Sequence, residues 1–93
     1  MAQFIVRVEL HDAAWSDYTV LHAHMAAQGF QHTILGSDGV TYQLPTAEYN
    51  LIGNLAKEQV LAKAKMAATA THKRYAIFVT ESNGATWIGL EAA

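Results

Sequence analysis

The chain has 93 residues, of which 52% are hydrophobic and 15% are charged, and this balance predicts a folded globular protein with one core in a single domain over residues 1–93. The net charge of −2 excludes a general attraction to nucleic acid, so such binding would need a local basic patch. Because there is no cysteine, disulfide frameworks, thiol catalysis and thiolate metal sites are excluded as well. No apolar run approaches the roughly 18 residues of a membrane-spanning helix, and we expect a soluble, cytoplasmic protein without membrane partners.

A strand and then a helix are predicted at the start of the chain. In "QFIVRVEL" the apolar residues alternate with the others, which is the period of a strand with one buried face. From Ala14 to Gly29 the apolar spacing changes to three and four, which is typical of one face of a helix. We expect Asp12 to cap the start of this helix and Gly29 to suit its end.

The stretch "GSDGVTYQLPTAEYN" predicts a hairpin followed by a further strand. "FQHTIL" precedes it as the second strand, and Asp38-Gly39 is a strong turn signal because glycine accepts a positive φ. "VTYQL" returns as a strand, Pro45 breaks it because proline lacks a ladder donor, and "AEYNLI" follows. The stretch is therefore predicted to be architecture, and we do not place the chemistry on it.

The rest of the chain predicts a second helix and two strands. The helix runs from about Ala56 to Thr71, with Val60 and Ala64 on its inner face and Gln59 in the capping-box position. "YAIFVTES" is a strong strand segment, Asn83-Gly84 signals a hairpin, and "ATWIGL" is expected to be a terminal strand. The order β-α-β-β-α-β plus a terminal strand predicts an α+β, ferredoxin-like split β-α-β fold, with both helices on one face of an antiparallel sheet.

Several segments also carry a resemblance to a known family. They are "FIVRVELHDA" leading into "LHAHMAAQGF", then "GSDGVTYQLPTAEYN", and then the lysine-bearing helix before "FVTES", which together cover almost the whole chain. On these segments the chain resembles the GhoS family, small antitoxin-type endoribonucleases of type V toxin–antitoxin systems. The resemblance implies a ferredoxin-like fold and cleavage of the messenger RNA of a small membrane-damaging toxin. No cofactor is predicted.

The first candidate site is the end of strand one, with Glu9, His11 and Asp12. Two carboxylates and an imidazole within four residues could polarise a water or hold a divalent ion. An acidic residue at this strand end is also what related ferredoxin-like nucleases have. The alternative is structural: Asp12 caps the first helix, Glu9 lies on the open sheet face, and His11 is solvated. No metal-ligand set is assigned.

The second candidate is His22 on the first helix. A histidine moves protons near neutral pH, which metal-independent RNA cleavage through the 2′-hydroxyl requires. His24 points nearly the opposite way, so the two histidines cannot form a metal pair. The resemblance places His22 where a family member has an arginine, a residue that would stabilise the charge of a phosphate. The structural alternative is a boundary histidine packed against Trp15.

The third candidate is a basic surface near the second helix. Five of the six lysines and arginines lie between positions 57 and 74. Of these, Lys73 and Arg74 at the helix exit are predicted to contact phosphate, together with Arg7 on strand one. The alternative is that lysine stems on the helix cover the edges of its buried face.

Two functions therefore stay open. The first is a GhoS-like antitoxin that binds RNA and cleaves a toxin mRNA, with catalytic residues among His22, Glu9, His11 and Asp12. The second is a non-enzymatic module that binds RNA or a protein partner through its sheet face or helix two. A homodimer contact through helix two or the terminal strand is compatible with either function, since Ala62 and Met66 leave the outer side of helix two bare of charge.

Overall fold

The computed structural model describes all 93 residues as two helices and five strands. In chain order these are β1 (Ala2–Leu10), α1 (Trp15–Ala27), β2 (Thr33–Leu35), β3 (Thr41–Gln43), β4 (Glu48–Gly53), α2 (Lys57–Thr69) and β5 (Tyr75–Ser82). Neither helix combines the length and the apolar character that crossing a bilayer requires.

The sheet is antiparallel and is built around β1. Strand β1 lies between β4 and β5 and pairs with both. Strands β2 and β3 form a separate hairpin, which is joined to β4 by a bridge between Gln31 and Asn50. The spatial order is then β5-β1-β4-β2, with the two helices in the two crossovers. The predicted α+β, ferredoxin-like arrangement is confirmed.

The core lies between one face of this sheet and both helices. The alternating apolar residues of β1 are all buried, as their period predicts, and their register partners on β4 and β5 point to the same side. Helix α1 adds Leu21 and Met25, and α2 adds Val60 and three alanines that let its backbone approach the sheet. Since one cluster contains side chains from both helices, the two helices cover the same face.

Helix α1 is not capped by Asp12, so that prediction is wrong. The backbone of Asp12 is left-handed, with φ of 53°, and the residue lies in the loop before the helix. The cap residue is Ala14, whose N–H donates to Oδ2 of Asp17 at 2.8 Å. At α2 the equivalent bond runs from Ala56 N–H to Oε1 of Gln59 at 2.8 Å, as the capping-box position predicts.

The Asp38-Gly39 hairpin is confirmed between β2 and β3. Gly39 has a φ of 80°, and the N–H of Gly36 donates to the carbonyl of Val40 at 2.8 Å to close the turn. One carboxylate oxygen of Asp38 accepts the N–H of Val40, and the other accepts the hydroxyl of Tyr42 at 2.6 Å. The Tyr42 bond, the larger of the two effects, and the Val40 bond hold the pKa of the Asp38 carboxyl below its usual value.

The predicted terminal strand "ATWIGL" is not formed. After β5 the chain turns at Gly84, with φ of 115°, and passes over Ile5 on the open face of the sheet to reach β3. A bridge between Ala92 and Tyr42 joins it to β3, with hydrogen bonds from Gln43 N–H to the Glu91 carbonyl at 2.8 Å and from Ala93 N–H to the Thr41 carbonyl at 2.9 Å. Trp87 packs edge-on against Tyr42 with ring centroids 5.4 Å apart. The segment therefore lies on the hairpin and does not pair with β5, and it is called here the crossing segment (residues 83–93).

Candidate functional site

The end of β1 brings several of the predicted polar residues together at the surface. The N–H of His11 donates to the carbonyl of Arg74 at 2.9 Å, which joins this loop to the start of β5. Asp12 lies 3.8 Å from Arg74, and Glu9 lies 3.8 Å from His11. The Asp12 and Arg74 side chains are 91% and 82% exposed, so their attraction is weak and a competing anion can replace either partner.

This strand-end cluster does not form a metal site. No three histidine, aspartate or glutamate side chains in the chain are arranged to hold a metal ion, and Glu9, His11 and Asp12 are no exception. Lys73 also has an acidic partner, Asp17, at 3.8 Å. Two of the three basic residues predicted to contact phosphate, Lys73 and Arg74, therefore lie next to carboxylates.

Arg7 lies apart from them, on the open face of the sheet. Its register partner on β5 is Phe78, whose side chain is 68% exposed, and its partner on β4 is Glu48. No carboxylate lies within 4.0 Å of the Arg7 guanidinium. A free guanidinium beside an exposed aromatic ring is an arrangement that suits a phosphate and a stacked base.

His22 has different neighbours from those predicted. Trp15 is 71% exposed and its ring does not pack on His22, because it lies in the first turn of α1, nearly two turns before the histidine. The structural alternative of packing against Trp15 is therefore wrong. Instead, Nδ1 of His22 lies 2.5 Å from the hydroxyl of Tyr49, and the ring centroid of His32 is 4.6 Å away.

The fold explains why these three side chains meet. Because α1 turns Leu21 and Met25 into the core, His22 next to them lies at the margin of the buried face. Tyr49 is the register partner of Val6, so its ring is in the core and only 1% exposed, while its hydroxyl reaches that margin. Burial, with a smaller contribution from Tyr18, raises the pKa of the Tyr49 phenol, which stays protonated at neutral pH.

His32 is held by the stretch that contains the only proline. Its Nε2 lies 3.2 Å from the carbonyl oxygen of Pro45, and its own carbonyl accepts the N–H of Leu44 at 3.0 Å. A carbonyl oxygen can only accept, so this bond assigns the proton to Nε2 of His32 and leaves Nδ1 free. We call His22, His32 and Tyr49 the histidine cluster.

The electrostatics of the histidine cluster disfavour a second positive charge. Burial, and to a lesser degree the charge on protonated His32, holds the pKa of His22 below its usual value. No carboxylate lies within 4.0 Å of either ring, since the only histidine with such a partner is His11. His22 is therefore neutral at neutral pH and able to accept a proton.

Comparison with known families bears on what this site does. The family model of the endoribonuclease GhoS matches residues 1–86. The chain belongs to the GhoS family. No individual curated protein matches the sequence. Membership of the GhoS family assigns the chain an RNA-cleaving function related to toxin–antitoxin systems, and the matched residues include the whole histidine cluster and the strand-end cluster.

In this GhoS family member, the two clusters occupy different places. Glu9 projects from the open face of the sheet, whereas His22 lies above the helix-covered face, so the sheet separates them. Lys73 is on the other flank of α1, because its partner Asp17 is five positions from His22, about 140° around the helix. The predicted residues therefore belong to two sites and not to one cleft.

His32 and Tyr49 were not predicted as site residues. Each occupies a position in a strand-like segment where its residue type is ordinary, and their contacts with His22 span ten and 27 positions of the chain. Three histidines within eleven positions, 22, 24 and 32, are the one local signal that was present.

Proposed function

We propose that this protein is an antitoxin of the GhoS type that cleaves the messenger RNA of a toxin, with His22 as a proton-transfer residue. The observation that carries the proposal is the imidazole of His22, anchored through Nδ1 to Tyr49 at 2.5 Å and without a carboxylate partner. A neutral imidazole can take the proton of a ribose 2′-hydroxyl as the 2′-oxygen attacks the adjacent phosphorus. The products of that reaction are a 2′,3′-cyclic phosphate and a 5′-hydroxyl.

The strand-end cluster is the competing catalytic location. Glu9, His11 and Asp12 could also transfer protons, but Asp12 and Arg74 are almost fully solvated, and water weakens their influence on a reacting group. His22 is partly shielded from water and is held by a buried phenol. For these reasons we assign the chemistry to His22 first.

Arg7, Lys73 and Arg74 are proposed as RNA contacts that do not take part in the chemistry. Arg74 can exchange its weak pairing with Asp12 for a phosphate, because both side chains are exposed. Arg7 can hold a phosphate while a base stacks on Phe78. Replacing these residues should weaken binding and lower its salt dependence while leaving the cleavage rate at saturation unchanged.

The test is cleavage of a transcript pool that includes a short membrane-toxin message, with and without EDTA. We expect wild-type protein to produce 2′,3′-cyclic phosphate ends, and EDTA not to change the rate. His22→Asn, whose amide can still meet the Tyr49 hydroxyl, should lower the rate by on the order of a hundredfold. His24→Asn, on an exposed position of the same helix, is the matched control and should cleave as the wild type does.

Two outcomes would overturn this assignment. Wild-type activity in His22→Asn with loss of activity in Asp12→Ala would move the chemistry to the strand-end cluster. Absence of cleavage by the wild-type protein on every transcript would leave the second function, a binding module without catalysis.

The second function is favoured by one observation, the exposed Phe78 beside Arg7 on the open sheet face. Such a surface binds single-stranded RNA through stacking and phosphate contact. Under this alternative, Phe78→Ala should weaken RNA binding by about 1–3 kcal/mol, measured by fluorescence anisotropy on a labelled oligonucleotide. A homodimer contact through α2 stays a prediction, because Met66 on that helix is exposed. Analytical ultracentrifugation of the protein would test it.

A further inference from the structure

Resting on the proposed function, we propose that His32 is a second catalytic residue, which gives a proton to the departing 5′-oxygen while His22 takes the proton of the 2′-hydroxyl. The histidine cluster would then be a general acid and a general base placed side by side. The attacking 2′-oxygen and the departing 5′-oxygen are bonded to the same phosphorus in the transition state. The base that deprotonates the first and the acid that protonates the second must therefore be close together.

The anchoring of the two rings leaves one nitrogen free on each. His22 is held through Nδ1 by Tyr49, which leaves Nε2, and His32 is held through Nε2 by Pro45, which leaves Nδ1. The ring centroids are 4.6 Å apart with the planes inclined by 35°, and both residues are partly exposed. A phosphodiester can therefore approach the two free nitrogens from the solvent side.

The arrangement also assigns opposite roles to the two rings. A charge on His22 is disfavoured by burial and by protonated His32, so we give His22 the role of the base. The acid is then protonated His32, whose Nε2–H is bonded to Pro45 and whose Nδ1 carries the proton that it donates. His22 is neutral, and in the tautomer whose Nδ1–H donates to the Tyr49 oxygen, which the proposed role requires, Nε2 is a free base.

The step balances without any further reactant. Nε2 of His22 takes the 2′-hydroxyl proton as the bond from the 2′-oxygen to phosphorus forms. The bond from phosphorus to the 5′-oxygen breaks, its electron pair stays on that oxygen, and Nδ1 of His32 supplies the proton. The pair ends with the proton on His22 in place of His32, and exchange with water restores the starting state.

A merely structural histidine at this position would hold the hairpin through Pro45 and do nothing else, so the test has to separate the two roles. His32→Gln is the appropriate variant, because its side-chain amide can still donate to the Pro45 carbonyl but cannot release a proton. His24→Gln is the matched control. The unfolding midpoint in urea shows whether each variant keeps the fold.

The probe is a short RNA prepared in two forms, one with the ordinary 5′-oxygen at the cleaved bond and one with a bridging 5′-sulfur. A thiolate leaves without being protonated, so the sulfur substrate does not need a general acid. We expect His32→Gln to lose on the order of a hundredfold on the oxygen substrate and to recover most of that loss on the sulfur substrate. His22→Asn should be slow on both.

A second measurement uses wild-type protein alone and so does not depend on a folded variant. On the oxygen substrate kcat/KM should fall at high pH because the general acid must be protonated to act, and on the sulfur substrate this fall should be absent. Three results would overturn the inference and leave the proposed function intact. His32→Gln could cleave the oxygen substrate at the wild-type rate, or its cleavage rate could fall equally on both substrates. The third is a decrease in kcat/KM at high pH that persists on the sulfur substrate. If wild-type protein cleaves neither substrate, the proposed function and the inference fall together.

Discussion

Tyr49 connects the core of the molecule to the histidine cluster. Its ring is packed among core residues beside Phe30, with ring centroids 6.5 Å apart, and its hydroxyl is the partner of His22. A buried ring has few alternative rotamers, so the hydroxyl is held in place and orients the imidazole. Tyr18, one turn before His22 on α1, offers a close comparison, because its hydroxyl receives the N–H of Leu10 at 3.2 Å and does not bond to the histidine cluster.

We predict that Tyr49→Phe separates stability from activity. The variant keeps the buried ring and loses only the hydroxyl, so the free energy of unfolding should fall by about 1 kcal/mol. Cleavage should fall between about tenfold and a hundredfold, because His22 is no longer oriented. Tyr18→Phe is the control, with a similar loss of stability and unchanged cleavage. Urea unfolding and initial rates measure both, and unchanged cleavage in Tyr49→Phe would contradict the role given to the phenol.

The lowered pKa of His22 predicts a pH dependence of stability. The unfolded chain protonates this residue near 6.5, whereas the folded protein does so only at a lower pH. Between these two pKa values the unfolded state binds more protons than the folded state. The free energy of unfolding is therefore highest above about pH 6.5 and decreases as the pH falls from there through the lower folded-state pKa of His22. The groups that face the imidazole are His32 and Tyr49, and no carboxylate opposes the effect.

The measurement is urea unfolding of the wild type and of His22→Asn between about pH 7.5 and pH 5.5. Acidification should destabilise the wild type more than the variant, because the variant lacks the titrating group. Parallel pH profiles for the two proteins would show that His22 has an ordinary proton affinity in the folded state.

At the level of elements, the β2–β3 hairpin depends on the absence of a side chain at Gly36. A Cβ atom there would lie 2.7 Å from Oδ1 of Asp38, 3.0 Å from the Tyr42 ring and 3.3 Å from the Trp87 ring. The turn, the hairpin and the crossing segment therefore meet at this one position. The Asp38–Tyr42 hydrogen bond, which also raises the pKa of Tyr42, lies in the same contact.

We predict that Gly36→Ala destabilises the protein by about 1–3 kcal/mol, because the added methyl displaces packed neighbours. Gly53→Ala is the control: its Cβ would meet only Leu51 and Leu55 at 3.6 Å or more, which is an ordinary contact. Urea unfolding should show a clear loss for the first and a small change for the second. Equal stabilities would mean that the hairpin can move away from the methyl group at no cost.

How far the elements could be predicted depends on how local their causes are. The alternation in β1 and β5 and the three-and-four spacing in the helices are produced by neighbouring residues, and the structure confirms them. The prediction that Asp12 caps α1 was wrong because the residue type does not reveal that its backbone is left-handed. "ATWIGL" has the alternation of a strand, but the packing of Trp87 on Tyr42 decides where it lies. His22 was found from its place on a helix, whereas its partners His32 and Tyr49 depend on tertiary contacts.

At the scale of the whole molecule, the open face of the sheet has two different halves. The half next to β4 lies under the hairpin and the crossing segment, and Asn50 there is buried and bonded to Gln3 at 3.1 Å. The half next to β5 carries Arg7 and the exposed Phe78. An exposed guanidinium beside an exposed aromatic ring, which an RNA strand on this face could use, is therefore found on the β5 half.

We predict that a chain ending at Ser82 keeps the histidine cluster but loses stability. It would lack the Trp87 contact and the bond from Gln43 N–H to the carbonyl of Glu91, which is 2.8 Å long. The free energy of unfolding should fall by about 2 kcal/mol. Amide exchange at Gln43 should become faster, while cleavage of RNA continues. Full-length Trp87→Ala is the comparison, and unchanged exchange at Gln43 would contradict the path described for the crossing segment.

The pairing of Val6 with Tyr49 has a kinetic consequence. These partners are about forty residues apart, so their contact closes a long loop and forms slowly compared with either helix. The hydroxyl that orients His22 arrives only with that contact. During refolding from urea, the helical circular-dichroism signal should recover first, and RNA cleavage should return later, together with the β1–β4 pairing. A newly synthesised chain therefore becomes active only once that strand pair has formed.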